Sequence, residues 1–114
     1  MAQRAFTCGL DVALAVVGGK WKPLILFHLA KGPRRFGELR RLVGGISEKV
    51  LIQQLRELES DAILDRADFR ENPPRVEYSI TAFGRSLADA LVPLCAWGDE
   101  NRERIDALLA QSRD

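Results

Sequence analysis

Ser47-Glu48-Lys49-Val50-Leu51-Ile52-Gln53-Gln54-Leu55-Arg56-Glu57-Leu58-Glu59-Ser60-Asp61 has the period of an amphipathic helix. With Leu51 at zero and about 100° per residue, Leu55 falls near 40° and Leu58 near −20°, a narrow stripe to bury. Lys49, Gln53, Arg56 and Ser60 fall between about 140° and 200°, with Ile52 on the edge of that face. Ser47 is a good N-cap for the helix. Lysine, glutamine and arginine are side chains that donate to phosphates and base edges. Taken alone, such a face reads as an ordinary solvated one. Its neighbours change that reading.

Immediately upstream, Phe36, Leu39, Leu42 and Val43 mark a shorter helix, and Gly44-Gly45-Ile46 is the turn between the two. Two short helices about a glycine turn form a helix-turn-helix whose second helix is the reader. After Asp61 the helical period lapses. Leu64 to Glu71 reads as a strand, Asn72-Pro73-Pro74 as a turn, and Arg75 to Ile80 as the returning strand, with Val76, Tyr78 and Ile80 on one face. A hairpin in that place is the wing of a winged helix. Arg70 and Arg75 flank its tip, where they either reach DNA or serve solubility.

Toward the N-terminus, Leu10, Leu14 and Val17 mark a helix that stops at Gly18-Gly19. Lys20-Trp21-Lys22-Pro23 opens a second helix, which ends at Lys31-Gly32-Pro33. Arg34-Arg35-Phe36 suits a strand stub. Thr81 is expected to cap a C-terminal helical region reaching about Ala110, which Pro93 should bend or split after Ala90-Leu91. The fold expected is mainly α with a small antiparallel β-wing, a single winged helix-turn-helix domain over residues 1–114.

The 114 residues suit one domain, and 46% of them are apolar, enough for one core. Seventeen basic residues against 16 acidic leave a net charge of +1, which excludes a histone-like mode of binding nucleic acid. The charge is segregated, however. From Lys20 to Lys49 eight basic residues face two acidic ones, a net +6, whereas Glu57 to Glu71 nets −4. Positive charge thus gathers on the elements expected to face DNA.

Catalysis finds little support in the inventory. His28 stands alone in an apolar run, where a helix-face role is its ordinary use, and with Cys8 and Cys95 it cannot make up a zinc site. Gly44-Gly45 lacks the Lys-Ser/Thr of a phosphate loop. Ser47 and Ser79 lack a nucleophile-elbow context. No catalytic residue, metal or cofactor is therefore expected. Two cysteines are too few for a disulfide framework, no stretch approaches the roughly 18 uncharged apolar residues of a membrane span, and no leader pattern opens the chain. A cytoplasmic protein without membrane contact is expected.

Several ordered motifs resemble the HxlR-type winged helix-turn-helix regulators. They are Gly18-Gly19-Lys20-Trp21, Gly32-Pro33-Arg34-Arg35-Phe36-Gly37-Glu38-Leu39, Gly45-Ile46-Ser47-Glu48-Lys49-Val50-Leu51 and Leu55-Arg56-Glu57-Leu58-Glu59. Pro73-Pro74-Arg75-Val76-Glu77-Tyr78 and the Thr81-x-x-Gly84-x-x-Leu87 helix start continue the series, so the resemblance runs from about Cys8 to Gly98. It implies a bacterial-type transcription regulator of the wider MarR-like group, working as a homodimer on a DNA operator. Such regulators include repressors and activators, and some sense reactive small molecules through an N-terminal cysteine. Cys8 matches that position, although Gly9 follows it where the family usually has proline.

A thiol at a helix N-terminus has its thiolate favoured, so Cys8 is a candidate sensor of oxidants or electrophiles, the alternative being simple packing. Cys95 lies with Leu91 and Leu94 on the apolar side of the last helical region, where core or interface packing is its default. Leu87, Leu91, Leu94, Ile105, Leu108 and Trp97 exceed what so small a core covers, so helices at about 8–18 and 82–110 are expected to form the dimer interface. Ser47, Lys49, Val50, Ile52, Gln53, Gln54 and Arg56 are the candidate reading-helix contacts. Lys20, Lys22, Arg34 and Arg35 are candidates for anchoring phosphates, with Arg70 and Arg75 on the wing. The other reading is a winged-helix module for protein–protein contact. Its exposed helix face would carry apolar or acidic residues, which Lys49, Gln53 and Arg56 are not.

Overall fold

Two successive glycines hold the helix-turn-helix together. In the computed structural model, which describes residues 5–112, Gly44 and Gly45 have φ of 71° and 72°, a left-handed conformation that side-chain-bearing residues resist. They join α3 (Phe36–Val43) to α4 (Glu48–Ser60). Ahead of this pair come α1 (Gly9–Val17), α2 (Trp21–Leu29) and the two-residue β1 (Arg34–Arg35); behind it come β2 (Leu64–Asp68), β3 (Val76–Ile80), α5 (Ala82–Glu100) and α6 (Arg102–Ser112).

The core follows from the apolar stripes. Ile25, Leu26 and Leu29 of α2, Leu39 of α3, and Leu51, Leu55 and Leu58 of α4 are all buried, closed off by Ile46, Ile63 and Leu64. Tyr78 and Ile80 of β3 pack against the same cluster. The sheet is antiparallel in the order β1-β3-β2, with Arg34 opposite Tyr78, Leu64 opposite Ile80 and Asp68 opposite Val76. The wing is therefore anchored at its base by the core and free at its tip.

Two boundaries differ from expectation. β2 ends at Asp68 rather than Glu71, because the Asp68 carboxylate accepts the Arg70 N–H at 2.9 Å and Arg70 turns to φ 53°. Such a side-chain turn competes with the ladder. More consequentially, α5 runs unbroken through Pro93, and the helical break falls at Asn101. Pro93 lies on an exposed surface, where solvent can take the carbonyl that it leaves unpaired. At Asn101 the side-chain amide and the backbone N–H both donate to Trp97 O, at 2.8 and 3.1 Å, and the helix stops.

Candidate nucleic-acid interface

Because Leu51, Leu55 and Leu58 point into the core, helical geometry turns Lys49, Gln53 and Arg56 to the surface, and all three are exposed. Val50, Ile52 and Gln54 are half-buried along the flanks. Ser47 caps the helix as its residue type predicts, its Oγ accepting the Val50 N–H at 3.1 Å. That use leaves the Ser47 side chain tied to the helix start. The first turn thus presents backbone N–H groups and a positive dipole end to the surface.

Beside it lie two residues that the sequence reading counted in its basic stretch but did not single out as contacts. Arg40 and Arg41, with Gly37 and the turn from Gly44 to Ser47, line a shallow depression at the head of α4. Arg40 Nε donates to Ile46 O at 3.4 Å, and its Nη1 lies 3.9 Å from Glu48 Oε2. Their signal was an adjacent basic pair in the last turn of the helix that precedes the reader.

The other basic candidates fare differently. Arg35 is exposed on the edge strand β1, its backbone N–H donating to Glu38 Oε1 at 3.1 Å. Arg34 is half-buried, its Nη1 3.9 Å from Glu38 Oε2 and its Nε enclosed without a hydrogen-bond partner. Lys20 is exposed, with Nζ 4.6 Å from the centre of the Trp21 ring. Lys22 is placed differently from Lys20: its side chain is 12% exposed and its ammonium is 2.7 Å from Glu57 Oε1. On the wing, Arg70 is exposed, whereas the Arg75 guanidinium lies 3.8 Å from the Phe69 ring centre, and its Nε is 3.6 Å from Glu71. Arg75 braces the hairpin, and Arg70 is left facing solvent.

The residues matched by a family model complete the picture. Residues 16–106 fit the HxlR-like helix-turn-helix family. The chain belongs to that family. Among relatives of this HxlR-like protein, the HTH-type transcriptional regulator YtcD of Bacillus subtilis is 44% identical over 105 residues, covering 92% of this chain and 83% of YtcD. The redox regulator HypR in its reduced form superposes with a TM-score of 0.81 at 40% identity, covering 88% of this chain and 99% of HypR. The diamide-treated form of YodB from B. subtilis gives 0.69 at 33% identity, covering 84% and 96%. The protein is accordingly a transcriptional regulator of the helix-turn-helix type, a DNA-binding class and not an enzyme. Among the described residues no single helix is long and apolar enough to cross a membrane.

Cys8 occupies the N-cap position of α1 and is exposed. The backbone N–H of Asp11, then that of Leu10 and the Thr7 side chain, hold its thiol below the ordinary range. His28 is half-buried in α2, edge-on to the Phe27 ring at 5.1 Å, and burial, followed by the charges of Lys31 and Arg34, lowers its pKa. It faces basic neighbours and serves the helix rather than a reaction.

Proposed function

We propose that the protein acts as a homodimer that sets α4 of each subunit into the major groove of a pseudo-palindromic operator, with half-sites about one helical turn apart. One observation carries this reading: a capped helix, seated in the core by three leucines, offers Lys49, Gln53 and Arg56 together to solvent. Gln53, flanked by Ile52 and Gln54, is the base reader, with Lys49, Val50 and Arg56 completing the contact face around the Ser47 cap. Arg34, Arg35 and Lys20 hold phosphates, joined by Arg40 and Arg41 at the head of the helix, while Arg70 extends from the wing. Helices α1, α5 and α6 supply the dimer interface, Cys95 included.

Cys8 is the candidate sensor. Its place at the head of α1 and its lowered pKa support that role, and the names of HypR and YodB carry redox regulation and diamide treatment for proteins of the same fold. An electrophile is the effector class that a low-pKa, exposed thiol suits.

The deciding experiment enriches duplexes from a randomised library with the wild-type protein and measures binding across a salt series. Gln53→Ala is expected to cost about 1–3 kcal/mol on the enriched duplex and little on a scrambled one. Arg35→Ala is expected to weaken both and to lower the salt slope by about one unit per lost phosphate contact. Equal losses on both duplexes for Gln53→Ala refute the assignment. A wild-type protein that enriches no sequence leaves the protein–protein module as the better reading.

A further inference from the structure

Lys22 lies in the first turn of α2 on the side of Ile25, Leu26 and Leu29, all three fully buried. Its aliphatic stem continues that apolar stripe, and only the ammonium emerges from the seam between α2 and α4. There it donates to Glu57 Oε1 at 2.7 Å, across 35 residues of sequence. The Glu57 side chain is 43% exposed, so the pair sits at the rim of the core rather than within it. Glu57 in turn stands one helical turn beyond Gln53 on the same side of α4. Lys22 foremost, and Gln53 to a smaller extent, hold its carboxyl below the ordinary carboxylate range.

A phosphate anchor needs the opposite arrangement, a cation extended into solvent and away from acids. A lysine so engaged must give up its carboxylate before it can take a phosphate. What the pair can supply is direction. Apolar packing along Leu51, Leu55 and Leu58 is non-directional, whereas a charged hydrogen bond at the rim is short and oriented. Roll matters to a reading helix: a rotation of about 10° carries a side-chain tip at a radius of about 5–6 Å through roughly 1 Å. That distance spoils a bidentate contact between an amide and a base edge.

We propose that Lys22 and Glu57 form a positioning pair that fixes the roll of α4 and the side on which Gln53 is presented, and that Lys22 makes no phosphate contact. The inference rests on the reading of α4 as the DNA-contacting helix.

The test measures fluorescence anisotropy on a duplex enriched by the wild-type protein and on a scrambled duplex of the same length, each over a salt series. Lys22→Met and Glu57→Gln are each expected to weaken the enriched duplex about threefold to tenfold, leaving the scrambled duplex and the salt slope unchanged. In a Gln53→Ala background, Lys22→Met is expected to lose most of its effect, because the side chain it orients is gone. The reversed pair, Lys22→Glu with Glu57→Lys, is expected to recover at least half of the lost affinity. Glu57→Gln changes a partly exposed side chain and keeps its size, so it remains informative if Lys22→Met folds poorly. Three results overturn the proposal: a salt slope lowered by about one unit with equal loss on both duplexes, an equal cost with and without Gln53, or no cost at all. If the wild-type protein enriches no duplex, the reading of α4 itself falls, and the pair's role falls with it; enrichment followed by any of those three results defeats the pair alone.

Discussion

Ala62 closes the reading helix in a conformation that suits glycine. Its φ is 62°, while Ile63 N–H donates to Leu58 O at 2.9 Å and Ala62 N–H to Glu59 O at 3.0 Å. This is the helix stop in which a left-handed residue frees the chain to leave the axis. A methyl group there is strained, so Ala62→Gly is expected to raise stability by about 0.5–1 kcal/mol, after the greater freedom of glycine in the unfolded chain is set against the relief. Urea unfolding checks it, as a higher midpoint at unchanged slope; a lower midpoint would assign the methyl a packing role. Cys8 makes the second case at this scale. Among the described residues its thiolate is favoured by the backbone N–H groups of Asp11 and Leu10 and by the Thr7 side chain, so it should react with electrophiles at a pH below the ordinary thiol range. Treatment with a benzoquinone, which the thiolate attacks by conjugate addition, is expected to weaken duplex binding about tenfold, a 1.4 kcal/mol effect. Cys95→Ser should behave as wild type and Cys8→Ser should resist, with mass spectrometry locating the adduct. Release of both variants alike would return Cys8 to a packing residue.

Where α5 meets the end of α4, a small joint couples the C-terminal helix to the reader. Thr81 Oγ1 lies 2.7 Å from Ala62 O and 3.1 Å from Ile63 O, and it accepts the Gly84 N–H at 2.9 Å. A Cβ at Gly84 would stand 2.2 Å from Ile63 O and 2.9 Å from Ile80 Cγ1. Arg85 ties the same turn to α2, its Nη1 donating to Ala30 O at 2.8 Å. Gly84→Ala therefore has to force α5 off the core and is expected to cost about 2–4 kcal/mol, read by chemical denaturation. A cost below about 0.5 kcal/mol, the range of neutral surface changes, would mean that the joint slides freely. Thr81 as a cap was legible because capping is local chemistry, as were the leucine stripe of α4 and the glycines of the turn. The closeness of Gly84 to Ile63 joins residues 21 apart in sequence, which no local pattern encodes. For the same reason Lys22 looked like one more cation in a basic run, since its carboxylate partner comes from another helix. The Arg75 guanidinium has a partner of the same hidden kind, lying 3.8 Å from the Phe69 ring centre across the hairpin. Pro93 misled differently: its penalty depends on whether solvent reaches the orphaned carbonyl, and that is a property of the surface rather than of the sequence.

The shape of the whole molecule argues for a second copy of the chain. Its radius of gyration is 16.2 Å, against about 13 Å for a compact domain of this length. α5 buries only Gly84 and Ala88, and none of residues 102–111 of α6 is buried. Leu10 and Leu14 on α1, Val92, Leu94 and Trp97 on α5, and Leu108 on α6 are between 51% and 68% exposed. So many large apolar side chains on the three terminal helices exceed the scattered exposure of an ordinary surface. A partner presenting the same helices by two-fold symmetry would cover them, and would set two copies of α4 at a fixed separation. Light scattering at micromolar concentration is expected to give twice the 12.7 kDa chain mass. Leu94→Glu would place an unpaired carboxylate in such an interface, where burial without a partner is costly, while Leu94 is itself 64% exposed in the single chain and is not one of its buried core residues. The variant is expected to keep its helical circular dichroism, to elute as a single chain, and to bind the enriched duplex no better than an isolated half-site. A wild-type protein of single-chain mass would sink this reading. If Leu94→Glu stayed dimeric, the interface would have to lie elsewhere, and the spacing of the two reading helices with it.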